Sequence, residues 1–216
     1  MLKIGTRFAV PIAMEDHPSP NDLNERLRRL FLEREQFAGV ANPNPYTVRN
    51  KETFESKFDL FYWNEPEIIE LREFCISNLM KVIAELNNYD LDTLKKIEVH
   101  PESWFHITRR NGFFGTHNHP MATWSGVYCV SPGVHDAGQI ESGRLVFLHP
   151  NMVGNMFVDA GSANIKGPFS FANVAFSLEA GQLILFPSHL THHVQPFFGE
   201  GERITVAFNC SFKMLT

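Results

Sequence analysis

The sequence predicts an α+β chain: a mainly β protein with helices at its N-terminal end. Two observations carry this. Up to about residue 97, apolar residues recur at helical spacing in two stretches. Beyond it, short segments rich in β-branched and aromatic residues follow one another, cut by Gly and Pro. Seven or more short strands at that spacing fit a sandwich or barrel and not alternating β/α units. The helices then belong on the outside of one sheet, because an apolar helical stripe has to be buried against something. No linker, internal repeat or low-complexity tract divides the chain. We therefore expect one domain over residues 1–216, mainly helical in 1–97 and β in 98–216.

Taken in order, residues 7–13 read as an edge strand, since Pro11 cannot donate to a ladder on both sides. Ser19 is placed to cap a helix that Pro20 opens, with Leu23, Leu27, Leu30 and Phe31 as its apolar stripe. Residues 38–56, rich in Asn, Pro and Gly, read as loop. Glu65 and Pro66 start a longer helix to about residue 86, with Ile68, Leu71, Cys75, Leu79, Val82 and Leu86 facing the core. Strands are expected at 104–108, 124–131, 144–148, 174–178, 182–186, 192–196 and 203–212.

With 216 residues, 44% of them hydrophobic, the chain can bury a substantial core. A net charge of −5 and the lack of a basic stripe argue against a nucleic-acid partner. No run of apolar residues is long enough to span a membrane, and the N-terminus has no apolar signal core. Three cysteines without a CxxC suggest a reduced, cytoplasmic protein. Self-association as a homodimer is compatible with this composition.

The chemistry concentrates in three places. His117 and His119 stand two apart, so an extended backbone puts both imidazoles on one face. That spacing alone serves a chelating pair and two surface histidines equally well. His189, His192 and His193 bring three more imidazoles within five residues, and a given face can use one or two of them. Arg203 opens the last strand; its near neighbours Glu200 and Glu202 offer it an ordinary surface ion pair. A metal-binding imidazole set beside a guanidinium suits a small ligand with a chelating end and a carboxylate tail.

Residues 98–212 resemble the double-stranded β-helix (jelly-roll, cupin-like) core of Fe(II)/2-oxoglutarate-dependent oxygenases, including an uncharacterised bacterial and phage branch. The resemblance lies in His117-Asn118-His119-Pro120, Ser125-Gly126-Val127-Tyr128, Ser142-Gly143-Arg144-Leu145, Gly181-Gln182-Leu183-Ile184-Leu185-Phe186-Pro187, Leu190-Thr191-His192-His193-Val194 and Arg203-Ile204-Thr205-Val206. The stretch from His192 to Pro196 is also similar to the distal-histidine region of prolyl hydroxylases. The resemblance implies an iron(II) enzyme with 2-oxoglutarate as co-substrate, hydroxylating a small-molecule or peptide substrate with release of succinate and CO2. It implies His117 and His192 as metal ligands, and Arg203 with Thr205 at the far carboxylate of 2-oxoglutarate.

Two departures from the family pattern matter. Position 119 is His where the wider superfamily has Asp or Glu, so a three-histidine site is the simplest expectation, with Asp136 as an alternative carboxylate. Position 129 is Cys where relatives often carry a tyrosine that touches the co-substrate; Tyr128, Trp104 or His106 would have to compensate. His193 is a candidate for a supporting role. A three-histidine cupin-like metalloenzyme without 2-oxoglutarate, and a non-catalytic jelly-roll binding domain, are the competing expectations.

Overall fold

The structure is a computed structural model that describes residues 2–151 and 157–215. Its first strand, β1 (Ala13–Asp16), begins where the expected strand ends. It pairs antiparallel with a later strand, β9, Ala13 opposite Leu185 and Asp16 opposite Gln182. Continuing that register backward would set Pro11 against Pro187, and neither has an N–H to give. The ladder therefore stops and residues 7–12 are not a strand.

Helix α1 (Pro20–Arg34) starts as expected, but the Ser19 side chain makes no capping bond. The Ser19 backbone N–H instead reaches Nδ1 of His17 at 3.2 Å. Leu23, Leu27, Leu30 and Phe31 are buried, together with Asn24. The stretch read as loop contains a short edge strand, β2 (Thr53–Glu55), too brief to show a period of its own. Helix α2 (Pro66–Asn87) ends at Asn88, which takes the left-handed conformation at φ 54°. Its buried face runs through Ile68, Leu71, Cys75, Leu79 and Ile83. Val82 is only half-buried and Leu86 is 52% exposed, because the last turn of the helix stays open to solvent. A short α3 (Leu91–Leu94) follows, capped by the Asp90 carboxylate.

The remaining strands are β3 (Ile97–Thr108), β4 (Phe114–His117), β5 (Trp124–Ser131), β6 (Val134–His135), β7 (Leu145–Phe147), β8 (Val174–Phe176), β9 (Gln182–Pro187), β10 (His192–Val194), β11 (Gly199–Glu200) and β12 (Arg203–Met214). They form a six-stranded sheet in the order β1-β9-β5-β12-β3-β2 and a four-stranded sheet in the order β4-β10-β7-β8, with a small β11-β6 ribbon. All pairings are antiparallel. This is the double-stranded β-helix arrangement.

Strand pleat sends alternate side chains to opposite sides. On β12, Ile204, Val206, Phe208 and Cys210 join the helices, Phe105 and Ile107 of β3, and Tyr128 of β5 in the main core. Phe31 of α1 stacks on Phe105 with ring centroids 4.3 Å apart and planes 7° from parallel. A smaller core of Cys129, Leu145, Phe147, Ile184 and Phe186 fills the space between the two sheets. The rest of that space is a cavity of about 430 Å³.

Truncating Phe31 removes the ring that docks α1 on the sheet. Phe31→Ala should lower the stability of the chain by about 3–5 kcal/mol, read as a shift in the urea midpoint at unchanged slope.

Candidate metal centre

His117 is the last residue of β4, and His192 the first of β10; the two are directly paired across the ladder. His119 lies two residues beyond the end of β4, and its backbone N–H donates to the Ser188 carbonyl at 2.9 Å. The three rings meet in the cavity, with centroids 4.3 Å (His117–His192), 5.0 Å (His117–His119) and 5.2 Å (His119–His192) apart. One ligating nitrogen from each lies within 4.8 Å of the others. His192 and His119 are 75 and 2 positions from His117 in the chain; pairing of β4 with β10 is what closes the longer gap.

Local backbone fixes the rings. Nδ1 of His117 donates to the Gly115 carbonyl at 2.8 Å, and Nδ1 of His192 to the Leu190 carbonyl at 2.8 Å. A carbonyl only accepts, so the proton sits on Nδ1 and Nε2 keeps its lone pair. Burial lowers the pKa of all three, His119 to about 4 and His192 to about 3, and other imidazoles nearby add to the effect. At neutral pH they are uncharged, which is the form that binds a metal.

Arg203 lines the same cavity and is 5% exposed. Neither Glu200 nor Glu202 reaches it: Glu202 pairs with Arg28 at 2.9 Å. Among the described residues Arg203 has no ion pair and its guanidinium has no hydrogen-bond partner. Burial lowers its pKa, yet a guanidinium stays protonated in proteins. A buried, unpartnered cation is costly unless an anion joins it. Thr205, two residues on, lines the cavity on the same face. An imidazole trio and a bare guanidinium in one cavity fit a metal and a carboxylate ligand together.

The other expected residues divide. Trp104 and His106 line the cavity from β3. Cys129 is buried beside it, directly opposite Thr205, with its thiol raised to about 11 by burial. His193 points to the other side of β10, half-buried, with Nδ1 unpaired. Two expectations are corrected. Tyr128 faces the helices, because the pleat turns it away from Cys129; its hydroxyl donates to Asn24 at 2.8 Å and the side chain is 0% exposed. It therefore does not reach the cavity. Asp136 is held outside by Arg110, through two hydrogen bonds of 2.7 and 2.8 Å, and is not near the trio.

Sequence reasoning missed Glu55. It stands on β2, inside the stretch read as loop, and lines the cavity while buried. Its Oε1 accepts from Asn42 and Arg49, both at 2.8 Å, and its Oε2 lies 3.1 Å from Nε2 of His106. That same Nε2 lies 2.8 Å from the Trp104 indole nitrogen. One ring nitrogen serves a donor or an acceptor, not both, so this cluster is over-subscribed. Burial works to raise the Glu55 pKa, but the contact with His106, the hydrogen bond from Asn42 and the Arg49 charge outweigh it and hold the carboxyl below its usual range.

The profile of a family described as "Putative 2OG-Fe(II) oxygenase" matches residues 102–209. No curated protein matches the sequence. Similar solved structures include a Pseudomonas putida prolyl-4-hydroxylase, 17% identical over 96% of this chain and 94% of the other, with a TM-score of 0.60. A Trichoplax adhaerens prolyl hydroxylase, solved with a hypoxia inducible factor peptide fragment, is 14% identical over 92% and 82%, at 0.61. HygX of Streptomyces hygroscopicus, solved with nickel and 2-oxoglutarate, is 13% identical over 94% and 83%, at 0.58. At these identities the structures speak for the fold.

Glu55 sets a pH dependence. Its folded pKa is depressed, so its stabilisation is present above the unfolded carboxylate value and is lost as pH falls through the lower folded value. Glu55→Gln should be less stable than the parent chain at pH 7, and the gap should shrink below about pH 4.5. Urea midpoints of both proteins at pH 7 and pH 3 check this.

Proposed function

The chain belongs to the 2OG-Fe(II) oxygenase family, and we propose that His117, His119 and His192 hold its iron(II) while Arg203 and Thr205 hold the far carboxylate of its 2-oxoglutarate. The enzyme is an iron- and 2-oxoglutarate-dependent oxidoreductase. When bound, iron and 2-oxoglutarate supply dioxygen activation, coupled to oxidative decarboxylation of the diacid to succinate and CO2. The observation that carries the residue assignment is the shared cavity: three neutral imidazoles at one place and a buried, unpaired guanidinium on the same inner surface.

The chain's own part is positional. Gly115 and Leu190 carbonyls hold two imidazoles with Nε2 turned to the metal position. His117, His119 and His192 would hold the iron by one nitrogen each, and the iron would supply the redox chemistry that the side chains lack. Arg203 fixes the co-substrate by its tail through two parallel hydrogen bonds, and Thr205 adds a hydroxyl. Leu145, Phe186 and Val194 add apolar surface to the cavity wall and keep water off the bound diacid. A histidine at 119 makes the ligand set neutral where a carboxylate would make it anionic. Glu55, the one buried carboxylate on the cavity wall among the described residues, is paired with Arg49 and so does not replace that charge. Arg203 sets this reading apart from a three-histidine enzyme that uses no diacid, since such a site has no work for a buried guanidinium. Three unpaired, buried cysteines fit a reducing compartment such as the cytoplasm.

Arg203→Ala should keep its metal, measured by elemental analysis, and lose 2-oxoglutarate affinity roughly 30-fold or more. His192→Ala should lose the metal. Absence of succinate from iron-loaded parent protein supplied with 2-oxoglutarate, ascorbate and oxygen, under every condition tried, would rule out the assignment.

A further inference from the structure

The cavity face of the large sheet carries opposite charges at its two ends. On β12 the row is Arg203, Thr205, Ala207 and Asn209; on β3 it is His106, Trp104 and Glu102. Arg203 sits opposite Thr108, and Asn209 opposite Glu102. The six-residue step from Arg203 to Asn209 spans about 20 Å of strand. Arg203 marks the buried end. Glu102 marks the exposed end, and among the described residues its carboxylate has neither a hydrogen bond nor an ion pair.

Between these ends lies the imidazole trio, with Trp104 in contact with His119 at a ring separation of 5.9 Å. Phe58 covers Trp104 at 4.4 Å. Tyr46 and Met121, both exposed, continue this surface outward at the mouth. Glu102 therefore stands over an aromatic and apolar wall. Among the described residues that line the cavity Arg203 is the only lysine or arginine, and in this reading the co-substrate occupies it. An anionic substrate would find no cation left to pair with and one carboxylate to repel it. A cation would find the opposite: a free carboxylate, π faces that attract positive charge, and a chain of net charge −5 to draw it in.

Resting on the reading in which 2-oxoglutarate takes Arg203, we infer that the primary substrate enters past Glu102 and carries an apolar stem ending in a positively charged nitrogen. A basic amino-acid side chain, free or in a peptide, is the class that fits. The stem lies along Phe58 and Trp104, and its charge rests at Glu102.

Three probes of similar length test this: the Nα-acetyl N-methylamides of lysine, norleucine and glutamate. Each is titrated calorimetrically, without oxygen, into manganese-loaded protein holding saturating 2-oxoglutarate. The lysine probe should bind at least tenfold more tightly than norleucine, with glutamate weakest. Glu102→Gln should erase the preference for lysine over norleucine, and Glu102→Lys should turn it toward glutamate; 2-oxoglutarate affinity measured on each variant checks that it is folded. The inference is overturned if the lysine probe does not bind, if norleucine or glutamate matches it, or if the preference survives in Glu102→Gln. If the parent, metal-loaded protein fails to bind 2-oxoglutarate itself, the co-substrate assignment has failed, and this inference loses its basis with it.

Discussion

The pleat of β12 is the constraint on which the rest of this structure depends. One strand supplies the floor of the main core through Ile204, Val206, Phe208 and Cys210, and the cavity surface through Arg203, Thr205, Ala207 and Asn209. Its register is locked on both sides, by β3 over its whole length and by β5 over most of it. A slip of one residue would turn Arg203 into the helices and Ile204 into the cavity, burying a charge without a partner and stripping the core of its contacts. The hydrophobic demand of the helices thus sets where the guanidinium points. Binding chemistry is placed by packing on the opposite face.

The imidazole trio is placed by a different means. β4 and β10 are short strands of the small sheet, and their pairing brings His117 and His192 face to face. Carbonyls two residues earlier in each case take the Nδ1 protons, so the local backbone sets the orientation of both rings and leaves Nε2 free. His119 belongs to no strand; the Ser188 carbonyl tethers it. The large sheet therefore fixes the guanidinium and the small sheet fixes His117 and His192. The cavity is the gap that the two sheets leave between them.

That division explains the corrections. Tyr128 and Cys129 are neighbours in sequence, and both were candidates to touch the co-substrate. Adjacent residues on a strand cannot share a face, and the fold gave the cavity side to Cys129 and the helical side to Tyr128. Asp136 was a reasonable carboxylate in composition, but Arg110 reaches it first, on the outside. Glu55 was hidden because a strand of three residues carries no readable period, and its value comes from partners 6, 13 and 51 positions away.

By itself, the sequence determined that two main helices precede a mainly β half, the helical apolar stripe of α1 and most of that of α2, and the residue types of the site, because these follow from local periodicity and from the chemistry of single side chains. It also carried the likeness to a family, through short phrases scattered over the second half of the chain. Only the tertiary structure decided that Arg203 is buried and unpaired and not tied to Glu202, which side of β5 faces the cavity, and that Glu55 and Glu102 belong to its wall. Those outcomes depend on strand register and on which distant group arrives first. Neither quantity has a signature in a window of neighbouring residues.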